Sequence, residues 1–296
     1  MSAAELEQVR TPTGPAFADA VTFAFGDAQA QLYGLARIGL SPGEDADGRH
    51  GSALAVLFAG RDPVAAIARG GLEVPSDAGW DSIAVGGLRM TVGEPLREWT
   101  VAMDGERHGF ELRFQALSPP AEIAGDDAVA QAGGMAGYEQ LCGVTGTVRA
   151  GGRELEVRCL GQRGHGWGEP DWDRLEASRT ICAWPGAGYG IALTSVRPAG
   201  APHADEATWA ALLDEEGTIR IEDARLSTTY DVDGRQRRAG LELWVHDDEP
   251  AVRGSGEVLC GSTLDLGALR LDCAFFRWRV DGETGVGRYD LLRRSG

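Results

Sequence analysis

Gly109-Phe110-Glu111-Leu112-Arg113-Phe114-Gln115-Ala116 places an apolar side chain at every second position and a polar one between. That period of two is the pattern of a β-strand with one wet face. Just upstream, Trp99, Val101 and Met103 alternate in the same way before Asp104-Gly105, which predicts a hairpin with a loop longer than two residues. A second pair follows, in which Val144, Gly146 and Val148 lead through Gly151-Gly152 into Leu155, Val157 and Cys159. Further strands are predicted near 179–184, 189–196, 207–213, 218–222, 226–231, 239–246, 253–260, 268–280 and 285–292. Turn clusters such as Glu215-Glu216-Gly217, Asp233-Gly234 and Asp281-Gly282 separate them. Strands at this spacing make an all-β chain of antiparallel barrels or sandwiches. Helix is scarce, since the most helix-like stretch, Ala53 to Ala68, contains Gly60, Pro63 and many residues that suit a strand better. The small and acidic run from Ser118 through Gly134 has no period and reads as a linker. The expected division is therefore an N-terminal β domain over 1–125 and a C-terminal one over 126–296.

Composition removes several chemistries. All 28 basic residues are Arg, with no Lys, against 45 Asp and Glu, for a net charge of −17. A Walker A loop, a kinase strand lysine and a Schiff-base amine all require Lys. An acidic chain also lacks the basic surface that phosphate contacts demand, so neither nucleic acid nor an anionic membrane is expected as a partner. No apolar run reaches membrane-spanning length, and Met1 to Glu7 has neither a basic nor an apolar leader region, which predicts a cytoplasmic protein. The five cysteines, Cys142, Cys159, Cys182, Cys260 and Cys273, form no C-x-x-C pair and read as buried thiols. The five histidines stand singly, without the spacing that puts two ligands on one face. Neither metal nor cofactor is expected.

The stretch with most chemical content is Gly161-Gln162-Arg163-Gly164-His165-Gly166-Trp167-Gly168-Glu169-Pro170-Asp171-Trp172. It gathers an imidazole, two indoles, two carboxylates and a guanidinium with alternating glycines, directly after a strand. Glycine at 164, 166 and 168 would let a loop fold tightly enough to aim several side chains at one point. The plain structural alternative is a corner in which Trp167 and Trp172 are core and His165 bonds to backbone. Upstream, Gly137-Tyr138-Glu139-Gln140 begins a strand. A carboxyl such as Glu139, desolvated inside a barrel, would have a raised pKa and could donate a proton near neutral pH.

These residues resemble a family. Tyr138-Glu139-Gln140, the His165-x-Trp167-Gly168 stretch ending in Asp171-Trp172, and Phe276-Arg277-Trp278-x-x-Asp281-Gly282-x-Thr284-Gly285-x-Gly287 are similar to carotenoid 1,2-hydratases (hydroxyneurosporene synthases) and their two-domain AttH-like relatives. In the N-terminal half Gly87-Leu88-Arg89-Met90, Glu94-Pro95-Leu96, Trp99, Asp104-Gly105 and Phe114-x-Ala116 extend the likeness over roughly residues 80 to 290. The resemblance implies two lipocalin-like antiparallel β-barrels or sandwiches packed together, with an apolar cavity and cofactor-independent chemistry on greasy double bonds. Where that family usually reads Arg-Asp-His-Ser-Trp-Gly, this chain has Arg163-Gly164-His165-Gly166-Trp167-Gly168, so the family's Asp and Ser are both absent.

Three functions follow as expectations. The first is a lyase (hydratase) or an isomerase/cyclase that protonates or folds an isoprenoid, steroid-like or polyene substrate. In it Glu139 or Asp171 is the acid and His165 its partner or the base. Tyr138, Gln140, Arg163, Trp167, Trp172 and Trp184 contact the substrate, with aromatic faces stabilising a carbocation and Arg163 available to hold a carboxylate. The second is a non-catalytic carrier of a hydrophobic ligand. The third is a pericyclase that only restricts its substrate's conformation.

Overall fold

The computed structural model describes residues 3–43, 48–186, 188–246 and 250–295. It is all-β apart from short turns of helix, and it divides into two compact units. The first comprises Met1–Glu122 with Met135–Pro170, the second Ile123–Gly134 with Asp171–Gly296. In chain order the first unit holds α1 (Ala3–Leu6), β1 (Ala18–Asp27), β2 (Leu32–Pro42), β3 (Arg49–Ala59), β4 (Asp62–Val74), β5 (Ser82–Val85), β6 (Leu88–Glu94), β7 (Glu98–Met103) and β8 (Gly109–Ala116). The short β9 (Ala121–Ile123) and α2 (Ala128–Gly133) come next, then β10 (Met135–Ala150) and β11 (Arg153–Gly168).

Neighbouring strands run β4-β3-β2-β1-β11-β10-β8-β7-β6-β5, with β9 beside β10. The pairings along that order, β9 aside, are antiparallel, and the two predicted hairpins appear as β7–β8, where Trp99 faces Phe114, and β10–β11, turning at Gly151-Gly152. Those glycines have φ of 63° and 80°, a left-handed turn that a side chain would strain. The sheet curls so that its two ends approach: a Cβ added at Gly51 on β3 would lie 2.8 Å from Val85 on β5. The inward rows of Val21, Phe23, Phe25, Trp99, Phe114 and Val144 fill the interior. Phe23 meets Phe114 edge-on at 5.0 Å between ring centres. Burying each such side chain contributes about 1.5–3 kcal/mol, which is what holds the curled sheet shut.

Residues 135–170, grouped by composition with the C-terminal half, belong to the first unit because β11 pairs with β1 and β10 with β8. The linker-like run before them holds β9 and α2 rather than bare coil. Gly134 ends α2 in the left-handed conformation, φ 70°. The glycine-rich stretch 161–168, expected as a tight loop, is instead the end of β11. Its glycines serve close approach, since a Cβ at Gly161 would lie 2.4 Å from the Ala24 carbonyl oxygen and one at Gly164 would meet the Glu139 carboxylate.

The second unit holds β12 (Leu175–Trp184), β13 (Tyr189–Pro198), β14 (Ala207–Asp214), β15 (Thr218–Arg220), β16 (Asp223–Tyr230), β17 (Gln236–Trp244), β18 (Val252–Asp265), β19 (Leu269–Val280) and β20 (Glu283–Arg294). Their order is β15-β14-β13-β12-β20-β19-β18-β17-β16. The ends are joined through two backbone bonds, Ile221 N–H to the Ala210 carbonyl (3.0 Å) and Glu222 N–H to that of Trp244 (2.9 Å). Ile181, Leu193, Leu241, Phe276, Trp278 and Tyr289 form its core. Each predicted C-terminal strand is present, displaced at its ends by a few residues.

Candidate functional site

Strand register builds a polar cluster at one end of the first barrel. On β1, β11 and β10 the core-facing rows are 19–21–23–25, 163–165–167 and 138–140–142, because Val21 faces His165 and His165 faces Tyr138 across the sheet. Lower in these rows the side chains are apolar. At the upper end they become Asp19, Arg163, His165, Tyr138 and Gln140, all buried.

His165 Nε2 lies 2.7 Å from Asp19 Oδ1, and Nδ1 lies 3.2 Å from the Leu6 carbonyl oxygen. Both partners are acceptors, so a neutral imidazole donates to one of them and only the imidazolium donates to both. The other Asp19 oxygen accepts from the Trp80 indole N–H at 3.1 Å and from the Arg10 backbone N–H at 2.7 Å. Burial pushes the imidazole below its ordinary pKa, while the Asp19 hydrogen bond and charge pull it back up. Trp167 and Tyr138 pack edge-on to the ring, at 5.1 and 5.6 Å between centres.

Arg163 stands beside this pair, fully buried. Its Nη2 donates to Glu7 Oε2 at 2.7 Å and its Nη1 to the Tyr138 hydroxyl. Glu7 Oε1 accepts from the Trp99 indole N–H (3.2 Å) and the Leu96 backbone N–H (3.0 Å). Burial lifts the Tyr138 phenol to about 12 against the opposing charge of Arg163, so it is a hydrogen-bonding group rather than a phenolate. The guanidinium carbon sits 4.5 Å above the Trp99 ring. Gln140 is used structurally, its amide N–H donating to the carbonyls of Leu96 and Ser118 at 3.1 Å each.

Of the residues expected to form a site, the structure thus brings together Tyr138, Gln140, Arg163, His165 and Trp167. Glu139 points to the opposite face of β10, half-buried, where the Gln162 amide donates to it at 2.8 Å. The partner of His165 is Asp19 rather than Glu139 or Asp171. Asp171, Trp172 and Trp184 belong to the second unit. There Asp171 is exposed and accepts from the Asp173 backbone N–H, capping a single turn of 3₁₀ helix that begins with half-buried Trp172, while Trp184 is buried on β12. Sequence reasoning missed Glu7, Asp19 and Trp80, which carry no motif of their own and are brought to the cluster only by strand pairing and by the path of the N-terminal segment.

A second group that no motif marks lies on β20. Asp290 Oδ2 is 3.3 Å from Arg288 Nε, and Oδ1 is buried without a hydrogen-bond partner among the described residues. Both side chains point away from the second barrel's core, in the row opposite to Tyr289. Register sets them beside Cys182, Phe275 and Cys273, all buried. That desolvation raises the Asp290 carboxyl to about 6, with Arg288 opposing it. Among the described residues, no three His, Cys, Asp or Glu side chains gather as metal ligands. No described helix is long and apolar enough to cross a membrane.

Two curled antiparallel sheets of this kind define a lipocalin-like, two-unit β protein, the class of fold that the resemblance implied. The chain belongs to the family described as a domain of unknown function, DUF7064, whose model matches residues 1–294. No curated protein matches the sequence. Among solved structures, one assigned as AttH from Nitrosomonas europaea is 12% identical, with a TM-score of 0.67 over 93% of this chain and 91% of that one. CghA, solved with the small molecule Sch210972, is 13% identical, with a TM-score of 0.64 over 95% and 89%. Kievitone hydratase from Nectria haematococca is 11% identical, with a TM-score of 0.62 over 94% and 89%.

Proposed function

We propose that the protein is a cofactor-independent enzyme that protonates a carbon–carbon double bond of a hydrophobic isoprenoid, steroid-like or polyene substrate. Hydration, isomerisation or cyclisation would follow. The observation that carries this reading is Asp290, a carboxyl held near a pKa of 6 with one oxygen unengaged. A general acid is most effective when its pKa lies near the working pH, and an ordinary surface Asp does not meet that condition.

In the proposed step Asp290 Oδ1 gives its proton to one alkene carbon, and the other carbon becomes the cation. The carboxylate left behind is stabilised by Arg288 at 3.3 Å. Water then adds to the cation and returns a proton to Asp290, which gives hydration. Loss of a neighbouring C–H proton to Asp290 gives isomerisation, and attack by a second double bond followed by loss of a C–H proton from the new cation to Asp290 gives cyclisation. Glu139 is the alternative donor carried forward from the sequence. The likeness in fold to a protein named as a hydratase, and to one solved with a small organic molecule, agrees with this chemistry.

The test is incubation of the purified protein with isoprenoid and polyene substrates in ¹⁸O-water, read by mass spectrometry. Turnover with label in a hydrated product, reduced about 10²–10⁴-fold in Asp290→Asn, is expected. Unchanged turnover in both Asp290→Asn and Glu139→Gln would sink the acid mechanism. Ligand recovered unaltered from every incubation would make the protein a carrier.

A further inference from the structure

The N-terminal segment, residues 3–17, adds no strand to either sheet, yet its Glu7 carboxylate accepts three hydrogen bonds. Every donor belongs to the first barrel: Arg163 on β11, Trp99 on β7, and the backbone of Leu96 in the turn between β6 and β7. Leu96 holds φ at 59°, a left-handed conformation that side chains rarely adopt. The cradle is therefore assembled by the sheet, and Glu7 is its occupant rather than a part of it.

We propose that this cradle is a carboxylate-binding site which the chain fills with its own Glu7, and that an apolar carboxylic acid displaces the N-terminal segment from it. One observation favours a ligand over a permanent ion pair. Glu7 engages Arg163 through Nη2 alone, while the Arg163 Nε, fully buried, has no hydrogen-bond partner among the described residues. A free carboxylate, not tethered to a backbone, can turn to take Nε and Nη2 together, the bidentate geometry that guanidinium favours. The cradle thus has a donor that Glu7 leaves unused.

Its walls are apolar. The guanidinium carbon lies 4.5 Å from the centre of Trp99, 5.1 Å from that of Tyr138 and 6.0 Å from that of Phe23. The segment is also held by His165 to the Leu6 carbonyl, the Arg10 N–H to Asp19, the Arg10 guanidinium 4.0 Å above Trp167 and Thr13 to Glu169, with Val9 packed on the core and Phe17 buried. Release of Glu7 would free the chain around Arg10 to solvent.

The test uses the intact protein with dodecanoate as probe and dodecanol as its uncharged counterpart, both below their aggregation limits. Tryptic cleavage after Arg10 is followed by mass spectrometry, and binding by tryptophan fluorescence. Dodecanoate should speed that cleavage at least tenfold and dodecanol should not. Glu7→Gln should cleave fast without ligand and bind dodecanoate at least tenfold more tightly than the parent, because the competitor is gone. The proposal is overturned if dodecanoate does not bind, if it binds without accelerating cleavage, if dodecanol acts equally, or if Glu7→Gln binds no tighter. Should that variant not fold, the protease comparison on the parent protein decides. Because this site lies in the first unit and needs no turnover, its failure leaves the Asp290 reading untouched, and the converse also holds.

Discussion

Asp19 separates a satisfied buried network from a merely buried one, and replacing it measures the difference. Its two oxygens accept from His165 Nε2, the Trp80 indole and the Arg10 backbone, at 2.7, 3.1 and 2.7 Å. In Asp19→Ala all three donors lose their acceptor. His165 can carry its proton on Nδ1 and bond the Leu6 carbonyl instead, but the other two remain orphaned at about 1–3 kcal/mol each. With the loss of a buried charge partner added, the expected cost is about 3–5 kcal/mol. Asp19→Asn behaves differently. Its amide oxygen can still serve Trp80 and Arg10 while its NH₂ donates to a neutral His165 protonated on Nδ1, which keeps the bond to Leu6. Only the charge assistance is lost, so the cost should be about 1–2 kcal/mol. Urea and thermal unfolding followed by tryptophan fluorescence read both, at roughly 2–4 °C per kcal/mol for a unit of this size. The account of the cluster fails if Asp19→Ala stays within about 1 kcal/mol of the parent, or if Asp19→Asn is the worse variant.

Three further outcomes follow from other parts of the molecule. Asp290 has a folded pKa of about 6, above the ordinary value near 3.9 that the unfolded chain has. Between those values the folded state binds the extra proton, so its contribution favours folding at low pH and is lost as pH rises through about 4 to 6. Unfolding midpoints across that range should show this slope in the parent and a flatter profile in Asp290→Asn, and identical profiles would contradict the assignment. Gly146 on β10 has φ of 141°, and an added Cβ would sit 2.3 Å from the Glu111 carbonyl oxygen. Gly146→Ala should therefore cost at least about 2 kcal/mol in a denaturation curve. Burial raises the Cys142, Cys159 and Cys260 thiols to about 12, and lifts Cys273 well above the ordinary thiol range. A thiol reagent at pH 8 should label these slowly in the native protein and promptly in denaturant, and rapid native labelling of any of the four would show that its site opens.

Much of the fold was legible because strand formation is a local matter. The alternation in Phe110-Leu112-Phe114, the diglycine at 151–152 and the turn clusters after 214, 232 and 280 each act within a few residues, and their strands and turns are present. The candidate site was legible only in part. His165, Arg163, Tyr138 and Trp167 were singled out from their chemistry and do meet, because strand pairing of β10 with β11 joins two stretches that both looked unusual. Glu139 was chosen alongside Tyr138, yet a period of two sends adjacent side chains to opposite faces. Asp171 follows His165 closely in sequence but falls past the end of β11, where the chain passes to the second unit.

By itself, then, the sequence determined the strands, the absence of lysine chemistry and the identity of the unusual side chains, since all three depend on composition or near neighbours. Only the tertiary structure decided which acid accompanies which base. Asp19 reaches His165 across 146 residues and Glu7 reaches Arg163 across 156, distances over which no local pattern carries information. Burial was decided there too: whether a carboxylate is an ordinary surface charge, like Asp171, or a desolvated acid near 6, like Asp290, depends on what other strands place around it.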